Sequence, residues 1–338
     1  MTTRRRASVN DVARRAGVSV GTVSNVLNNP DKVATATRER VLAAIEELSF
    51  VRNVFARGLR AGEITTVGAI LLDIRNPFFT ELARGIESTL TPVDYTLMLA
   101  DSDDDPDREA KYRGLFVEHG VVGLLVVPSA PDLEPYRALQ ARGVRVVLVD
   151  ADSDDPAVSS VSVDDERGGA LAAAHLVERG HRSITMINGP HTVRQAARRR
   201  TGVDRALVES GLEPAAVVDE ITLVSLDAAG GDDAMTRLVA DRGVPPAVFC
   251  VNDLVAIGVQ RALRRIGGSG LLGQVDIVGY DDIEVARELA VPLTSVRQPA
   301  YEMGARAAEL LLDAGSAAQH VVFAPELVVR ASSTSRTV

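Results

Sequence analysis

Ser8-Val9-Asn10-Asp11-Val12-Ala13-Arg14-Arg15-Ala16-Gly17-Val18-Ser19-Val20-Gly21-Thr22-Val23-Ser24-Asn25-Val26-Leu27-Asn28 decides how the first fifty residues fold. Ser8 with Asp11 three residues on is a capping-box pattern, in which each side chain satisfies a free amide at a helix start. Ala16-Gly17-Val18 supplies a turn, with glycine for its awkward backbone, and Ser19 can cap a second helix running through Leu27. Val41, Ile45 and Leu48 recur at i, i+4 and i+7 and mark a third helix. Two short helices about a glycine turn, braced by a third, form a helix-turn-helix. On the second helix Val23, Val26 and Leu27 face the core, while Val20, Gly21, Thr22, Ser24, Asn25 and Asn28 face outward. Those outward residues are small or hydrogen-bonding, which lets a helix enter a major groove and reach base edges and phosphates.

The charge distribution favours this reading over a plain polar helix face. Residues 1–62 carry eleven Lys/Arg against five Asp/Glu, net +6, so the rest of the chain holds −15 of the total −9. A basic end on an acidic body points to a polyanionic partner for the first segment alone. The stretch Asn53-Val54-Phe55-Ala56-Arg57-Gly58-Leu59-Arg60 adds a second signal. Asn53 can cap a helix of barely two turns, too short to hold in water unaided and weakened by Gly58. A helix ordered on DNA, with Leu59 wedged into a minor-groove step, accounts for an apolar residue between basic ones.

After Gly62 the texture changes to apolar strands alternating with amphipathic helices. Residues 67–72, 96–100, 122–127 and 144–149 read as strands, with helices at 78–90 and 108–119. The pattern restarts at 159–163 and continues through 184–188, 247–251 and 276–279. Such alternation implies parallel sheets covered on both faces, in two successive lobes. Asn76, Phe78 and Phe79 follow the first strand, where a parallel sheet opens its crevice. Asn252, Asp253 and Asp281 lie at the ends of later strands; Asn252-Asp253 and Asp281-Asp282 can also serve as helix caps.

Other classes are poorly supported. The single Cys250 sits in an apolar run and permits no intramolecular disulfide. No apolar core follows Arg4–Arg6 as in a signal peptide, and no stretch approaches a membrane span of about 20 residues, so a cytoplasmic location is expected. Gly268-Ser269-Gly270-Leu271-Leu272-Gly273 spells GxGxxG, but it follows a helix and precedes a strand, the reverse of a dinucleotide site, and reads as a loop. His119, His175, His181, His191 and His320 lack ligand spacing. No cofactor, metal or catalytic residue is expected. An exported sugar-binding protein and a Rossmann-type enzyme are the rivals. The first needs a signal peptide in place of residues 1–60, the second a phosphate-cradling loop after a strand.

The chain closely resembles the lac-repressor (LacI/GalR) family of bacterial regulators. The likeness rests on Asp11-Val12-Ala13, Ala16-Gly17-Val18-Ser19, Thr22-Val23-Ser24 and Val26-Leu27-Asn28. It continues through Asn76-Pro77-Phe78-Phe79, Asn252-Asp253, Gly279-Tyr280-Asp281-Asp282 and Gln298. The resemblance implies an α/β chain with an all-α helix-turn-helix headpiece at 1–50 and a hinge helix at 51–62. A two-lobed, periplasmic-binding-protein-like (type I) effector and dimerisation domain follows at 63–338. Its first lobe is expected at about 63–161 plus 295–320, because the strand near 294–297 should cross back, and its second at about 162–294 plus 321–333. The implied partners are double-stranded operator DNA, a second copy in a homodimer, and a small, sugar-like effector. By the same resemblance Val20, Gly21 and Asn25 read bases. Ser8, Ser19, Thr22, Ser24, Asn28 and Thr37 meet phosphates, Asn53 begins the hinge and Leu59 is its wedge. Asn76, Phe78, Phe79, Asp150, Arg199, Asn252, Asp253, Asp281 and Gln298 hold the effector. No leucine-heptad tail is found before Val338, which implies a dimer rather than a tetramer.

Overall fold

The computed structural model describes residues 7–50, 65–313, 315 and 317–334, and the chain divides into two compact units, Met1–Ile64 and Thr65–Val338. The hinge expected at 51–62, with Asn53 and Leu59, lies outside the described residues, as does the Asn28 side chain.

In the first unit, α1 (Val9–Ala16), α2 (Val20–Asn28) and α3 (Thr35–Glu47) close around one small core. The capping box forms as read: Ser8 Oγ accepts from Asp11 N, and Asp11 Oδ2 accepts from Ser8 N at 2.9 Å. Gly17 ends α1 in the left-handed conformation (φ 65°), which an L side chain resists. Ser19 then caps α2, its Oγ accepting from Thr22 N at 3.1 Å. Val12, Val23 and Val41 are fully buried, with Val26 and Ala44 nearly so. Ile45, Leu48 and Phe50 pack against them. Arg15 Nε donates to Glu47 Oε1 at 3.0 Å and ties α1 to α3.

The second unit holds two six-stranded sheets. The first is built from β1 (Thr66–Leu71), β2 (Thr96–Asp101), β3 (Gly123–Val126), β4 (Arg145–Val149) and β5 (Ser159–Val163). The second contains β6 (Ile184–Asn188), β7 (Val218–Thr222), β8 (Ala247–Cys250), β9 (Asp276–Asp281) and β10 (Thr294–Arg297). Late in the chain β11 (His320–Phe323) adds to the first sheet and β12 (Glu326–Val328) to the second. The orders are β11-β5-β4-β3-β1-β2 and β12-β10-β9-β8-β6-β7, and every pairing is parallel except β10 with β12. The helices that matter below are α4 (Pro77–Leu90), α5 (Pro106–Glu118), α6 (Glu134–Ala141), α7 (Asp165–Glu178) and α8 (Arg194–Glu209). Further on come α9 (Pro214–Val217), α10 (Ala228–Arg242), α11 (Asp253–Leu272), α12 (Glu284–Glu288) and α13 (Ala300–Leu312). Buried Val, Ile and Leu run along β1, β3 and β4, as sheets covered on both faces require.

Three sequence expectations need correction. The strand at 294–297 does not cross back: β10 pairs with β9, and Ser295 Oγ donates to Asp253 Oδ1 within the second lobe. The crossing comes after Arg297, when α13 packs Met303, Ala307 and Leu311 into the core that includes Phe78 and Leu82 of α4. Consequently β11, from 320 to 323, belongs to the first lobe. The first lobe also keeps all of β5, whose Val161 and Val163 enter its core, so its sheet does not break at 161. Finally, residues 268–272 continue α11 after a break at Gly267 and Gly268 (φ −135° and 66°) rather than forming a loop. Leu272 beyond the break is 4% exposed, and its burial holds that last turn in place.

Candidate functional site

In the first unit the outward row of α2 is laid out by its cap. Ser19, Gly21 and Asn25 are exposed, Val20 is 36% exposed, and Thr22 and Ser24 are half-buried. Ser19 Oγ and Thr22 Oγ1 lie 2.9 Å apart, so two of the expected phosphate contacts also fix the helix start. Ser8 is similarly engaged with Asp11, its Oγ donating to Asp11 Oδ2 at 2.6 Å, while Thr37 is half-buried in the first turn of α3. A Cβ built at Gly21 meets only Ser19 Oγ, at 3.7 Å. Packing therefore does not demand glycine there. What the glycine leaves is a low spot on the exposed face.

In the second unit a cavity of about 210 Å³ opens between the lobes at the carboxyl ends of the strands. Asn76 caps α4, its Oδ1 accepting from Phe78 N at 3.0 Å, and its Nδ2 crosses to Asp281 Oδ2 at 3.0 Å. Phe78 and Phe79 follow in the first turn of α4 and form an edge-to-face wall, ring centroids 5.0 Å apart. Asp150, just after β4, faces Gln195 on α8, whose Nε2 donates to its backbone O and Oδ2, both at 2.9 Å. Asp281 ends β9 and accepts from Gln298 Nε2 at 2.7 Å. Arg199, one helical turn beyond Gln195, donates Nε to Asp165 Oδ1 at 2.8 Å and Nη1 to Val251 O at 2.6 Å. Its guanidinium lies 3.5 Å from the Tyr280 ring centroid, a desolvated cation–π contact.

Of the nine residues expected to hold an effector, eight line this cavity: Asn76, Phe78, Phe79, Asp150, Arg199, Asn252, Asp281 and Gln298. Asn252 does so while capping α11 through Oδ1 and donating Nδ2 to Leu226 O. Asp253 is the exception: it was expected to hold the effector, and it does not line the cavity. It is fully buried behind the wall, its oxygens accepting from Ser295 Oγ and Ile283 N. Burial, reinforced by Asp281, pushes its carboxyl well above the usual range. It pins the ends of β9 and β10 and so positions Asp281 without reaching the cavity.

Sequence reading did not find Gln195, Asp165 or Tyr280, nor the rim at Asp73, Arg75, Asp103 and Asp104. For Gln195 a signal existed: it stands four residues before Arg199 and shares its helix face. Asp152 was also missed. It accepts from Arg194 Nη1 and Arg198 Nη2, an ion-pair strut between the β4–β5 connection and α8.

The charges inside are unbalanced. Burial, helped by repulsion from Asp165, pushes the Asp150 carboxyl up to about 8 against the pull of Arg199 and Gln195. Burial also raises Asp281 to about 6, opposed by Arg199, Asn76 and Gln298. Burial works against the Arg199 charge, but Asp165, Tyr280, Asp281 and Asp150 outweigh it and hold the guanidinium protonated. Asp150 Oδ1 and Gln298 Oε1 are buried and have no hydrogen-bond partner among the described residues. A wall of two rings, fixed carboxyls and unpartnered polar oxygens suits a polar, ring-shaped ligand bearing hydroxyl groups. Among the described residues no cluster of His, Cys, Asp and Glu could hold a metal, and no helix is long and apolar enough to cross a membrane.

Residues 8–53 match the bacterial regulatory proteins of the lacI family, and residues 64–325 match the periplasmic binding proteins and sugar binding domain of the LacI family. The chain is 36% identical over 335 residues to the transcriptional regulator MalR of Streptomyces coelicolor, covering 96% of each chain. It is 31% identical over 334 residues to the transcriptional repressor PurR of Photobacterium profundum, covering 96% of this chain and 98% of the relative. Among solved structures, the lac repressor dimer bound to operator and the anti-inducer ONPF superposes with a TM-score of 0.75 at 25% identity. That match covers 98% of this chain and 100% of the other. With headpiece and body matched in the same order along nearly its whole length, the chain belongs to the LacI family of bacterial transcription regulators.

Proposed function

We propose that the chain is a cytoplasmic repressor that binds a palindromic operator as a homodimer and changes its grip when a small, sugar-like effector fills the inter-lobe cavity. The observation that carries the effector role is that both lobes supply the cavity's polar atoms. Asn76 of the first lobe holds Asp281 of the second, and Gln195 of the second holds Asp150 of the first. A ligand that meets these groups changes the free energy of one lobe against the other, which is what coupling to a distant site requires. The dimer and the operator are supported by the lac repressor dimer, which this chain resembles over its full length. On that reading Val20, Gly21 and Asn25 address base edges, and Ser8, Ser19, Thr22, Ser24, Asn28 and Thr37 address phosphates. Asn53 starts the hinge, and Leu59 enters the minor groove at the dyad.

The test is a selection of genomic fragments by the full chain, followed by a thermal-shift screen of sugars against it. The selection should enrich a symmetric motif, bound with an affinity that falls steeply with salt. A ligand present at a hundred times its Kd should stabilise the protein by about 2.7 kcal/mol and alter binding to the selected motif. Enrichment of no symmetric motif contradicts the operator role. A ligand that binds without changing DNA affinity contradicts the effector role.

A further inference from the structure

We infer that the inter-lobe cavity takes an uncharged, hydroxyl-rich ligand and turns away the phosphorylated form of the same ligand, with Asp103 at the mouth withholding the cations a phosphate would need. This deepens the effector reading above and rests on it.

Charge is the first argument. Among the described residues lining the cavity, Asp73, Asp103, Asp104 and Asp281 face only Arg75 and Arg199, while a fifth carboxyl, Asp150, keeps its proton up to about 8. Neither arginine stands ready for an anion. Arg75 donates Nε and Nη2 to Asp73 at 2.8 and 3.1 Å, and Nη2 again to Asp103 at 3.0 Å. Asp103 also holds Arg108, whose Nη1 lies 3.0 Å from its Oδ2. Arg199 is anchored by Asp165 and Val251 O, and its one charge already answers Asp165 and Asp281. A phosphate would bring negative charge into a site with a surplus of it, at separations and dielectric where Coulomb repulsion is strong. Burial and Asp103 also raise the Asp104 carboxyl, as expected where negative groups already crowd.

Hydrogen-bonding capacity is the second, independent argument. Gln298 is 5% exposed, and its Oε1 lacks a partner among the described residues. A buried acceptor left open is costly, so the site asks its ligand for donors. Sugar hydroxyls donate, whereas a phosphate dianion only accepts.

The experiment is isothermal titration of the full chain with matched pairs at one pH and ionic strength. The pairs are ribose with ribose 5-phosphate, glucose with glucose 6-phosphate, and maltose with maltose 6-phosphate. In any pair that binds, the phosphorylated member should be weaker by at least about tenfold. The same titrations on Asp103→Asn, which removes a carboxylate from the mouth and its pull on Arg75 and Arg108, should narrow that gap. A phosphorylated member binding as tightly as its neutral partner, or more tightly, overturns the inference and leaves the effector reading standing. An unchanged gap in Asp103→Asn overturns the role given to Asp103. If no member of any pair binds, the sugar-like effector reading falls and the inference falls with it.

Discussion

Asp150 holds its proton in the folded chain up to about 8, whereas an unfolded aspartate gives it up near 3.9. The folded state is then the better proton binder, so this group favours folding fully below about pH 4 and the advantage is lost as pH rises toward 8. In Asp150→Asn nothing titrates at this position. The variant's Tm should therefore gain on wild type steadily between about pH 4 and 8 and then level off, as read by calorimetry. A gap that closes with rising pH contradicts the account. A ligand hydroxyl donated to Asp150 Oδ1 stabilises the anion and lowers this carboxyl's pKa, so wild-type ligand affinity should rise with pH on the approach to about 8 and level off above it. Gly21 makes a different point. Its Cβ would meet little, and alanine is the better helix former by up to about 1 kcal/mol. Gly21→Ala should keep or raise headpiece stability and still weaken operator binding by filling the low spot. Unchanged affinity would show that this face does not lie in a groove. Residues such as Ser8, Gly17 and Ser19 were legible because a cap is a local event, with donor and acceptor about three positions apart. Asp253 was misread for the complementary reason. It follows Asn252 directly, yet adjacent residues at a helix start point different ways, and only Asn252 reaches the cavity.

At the scale of elements, two glycines set where Arg199 stands. A Cβ at Gly169 of α7 would lie 2.0 Å from Arg199 O, and one at Gly202 of α8 would lie 1.8 Å from Glu166 O. Backbone against backbone leaves nothing flexible to yield, so α7 and α8 touch directly, and this contact brings Asp165 under Arg199. Gly202→Ala must push the helices apart, at a cost of about 1–3 kcal/mol typical of overpacking. It should lower Tm and weaken ligand binding together. Full ligand affinity in a destabilised Gly202→Ala would separate the helix contact from the site. No sequence pattern announced this contact, since glycines within helices read only as poor helix formers. The alternation of strands and helices was legible because each element writes its own periodicity. The partner of β10 was not. A four-residue strand carries no record of which sheet it joins, and Ser295 meets Asp253 across a sequence separation of 42.

Across the whole molecule the charge is segregated more sharply than the sequence totals implied. Residues 7–50 contain five basic and five acidic side chains and are neutral. The surplus of the first segment sits at Arg4, Arg5, Arg6, Arg52, Arg57 and Arg60, flanking the headpiece on both sides. Under the function proposed above, sequence selection falls to the outward row of α2 and electrostatic grip to these flanking arginines. The body contributes the third function, a cavity whose walls belong to both lobes. The central claim is that filling this cavity changes the grip on DNA, and thermodynamics makes the claim reciprocal. Once a ligand is in hand, calorimetric titration of it into the full chain, with and without saturating operator, tests the claim most directly. The account predicts that operator shifts ligand affinity by the same factor by which ligand shifts operator affinity, about 5- to 150-fold for a coupling of 1–3 kcal/mol. Equal ligand affinities in the two titrations would contradict it.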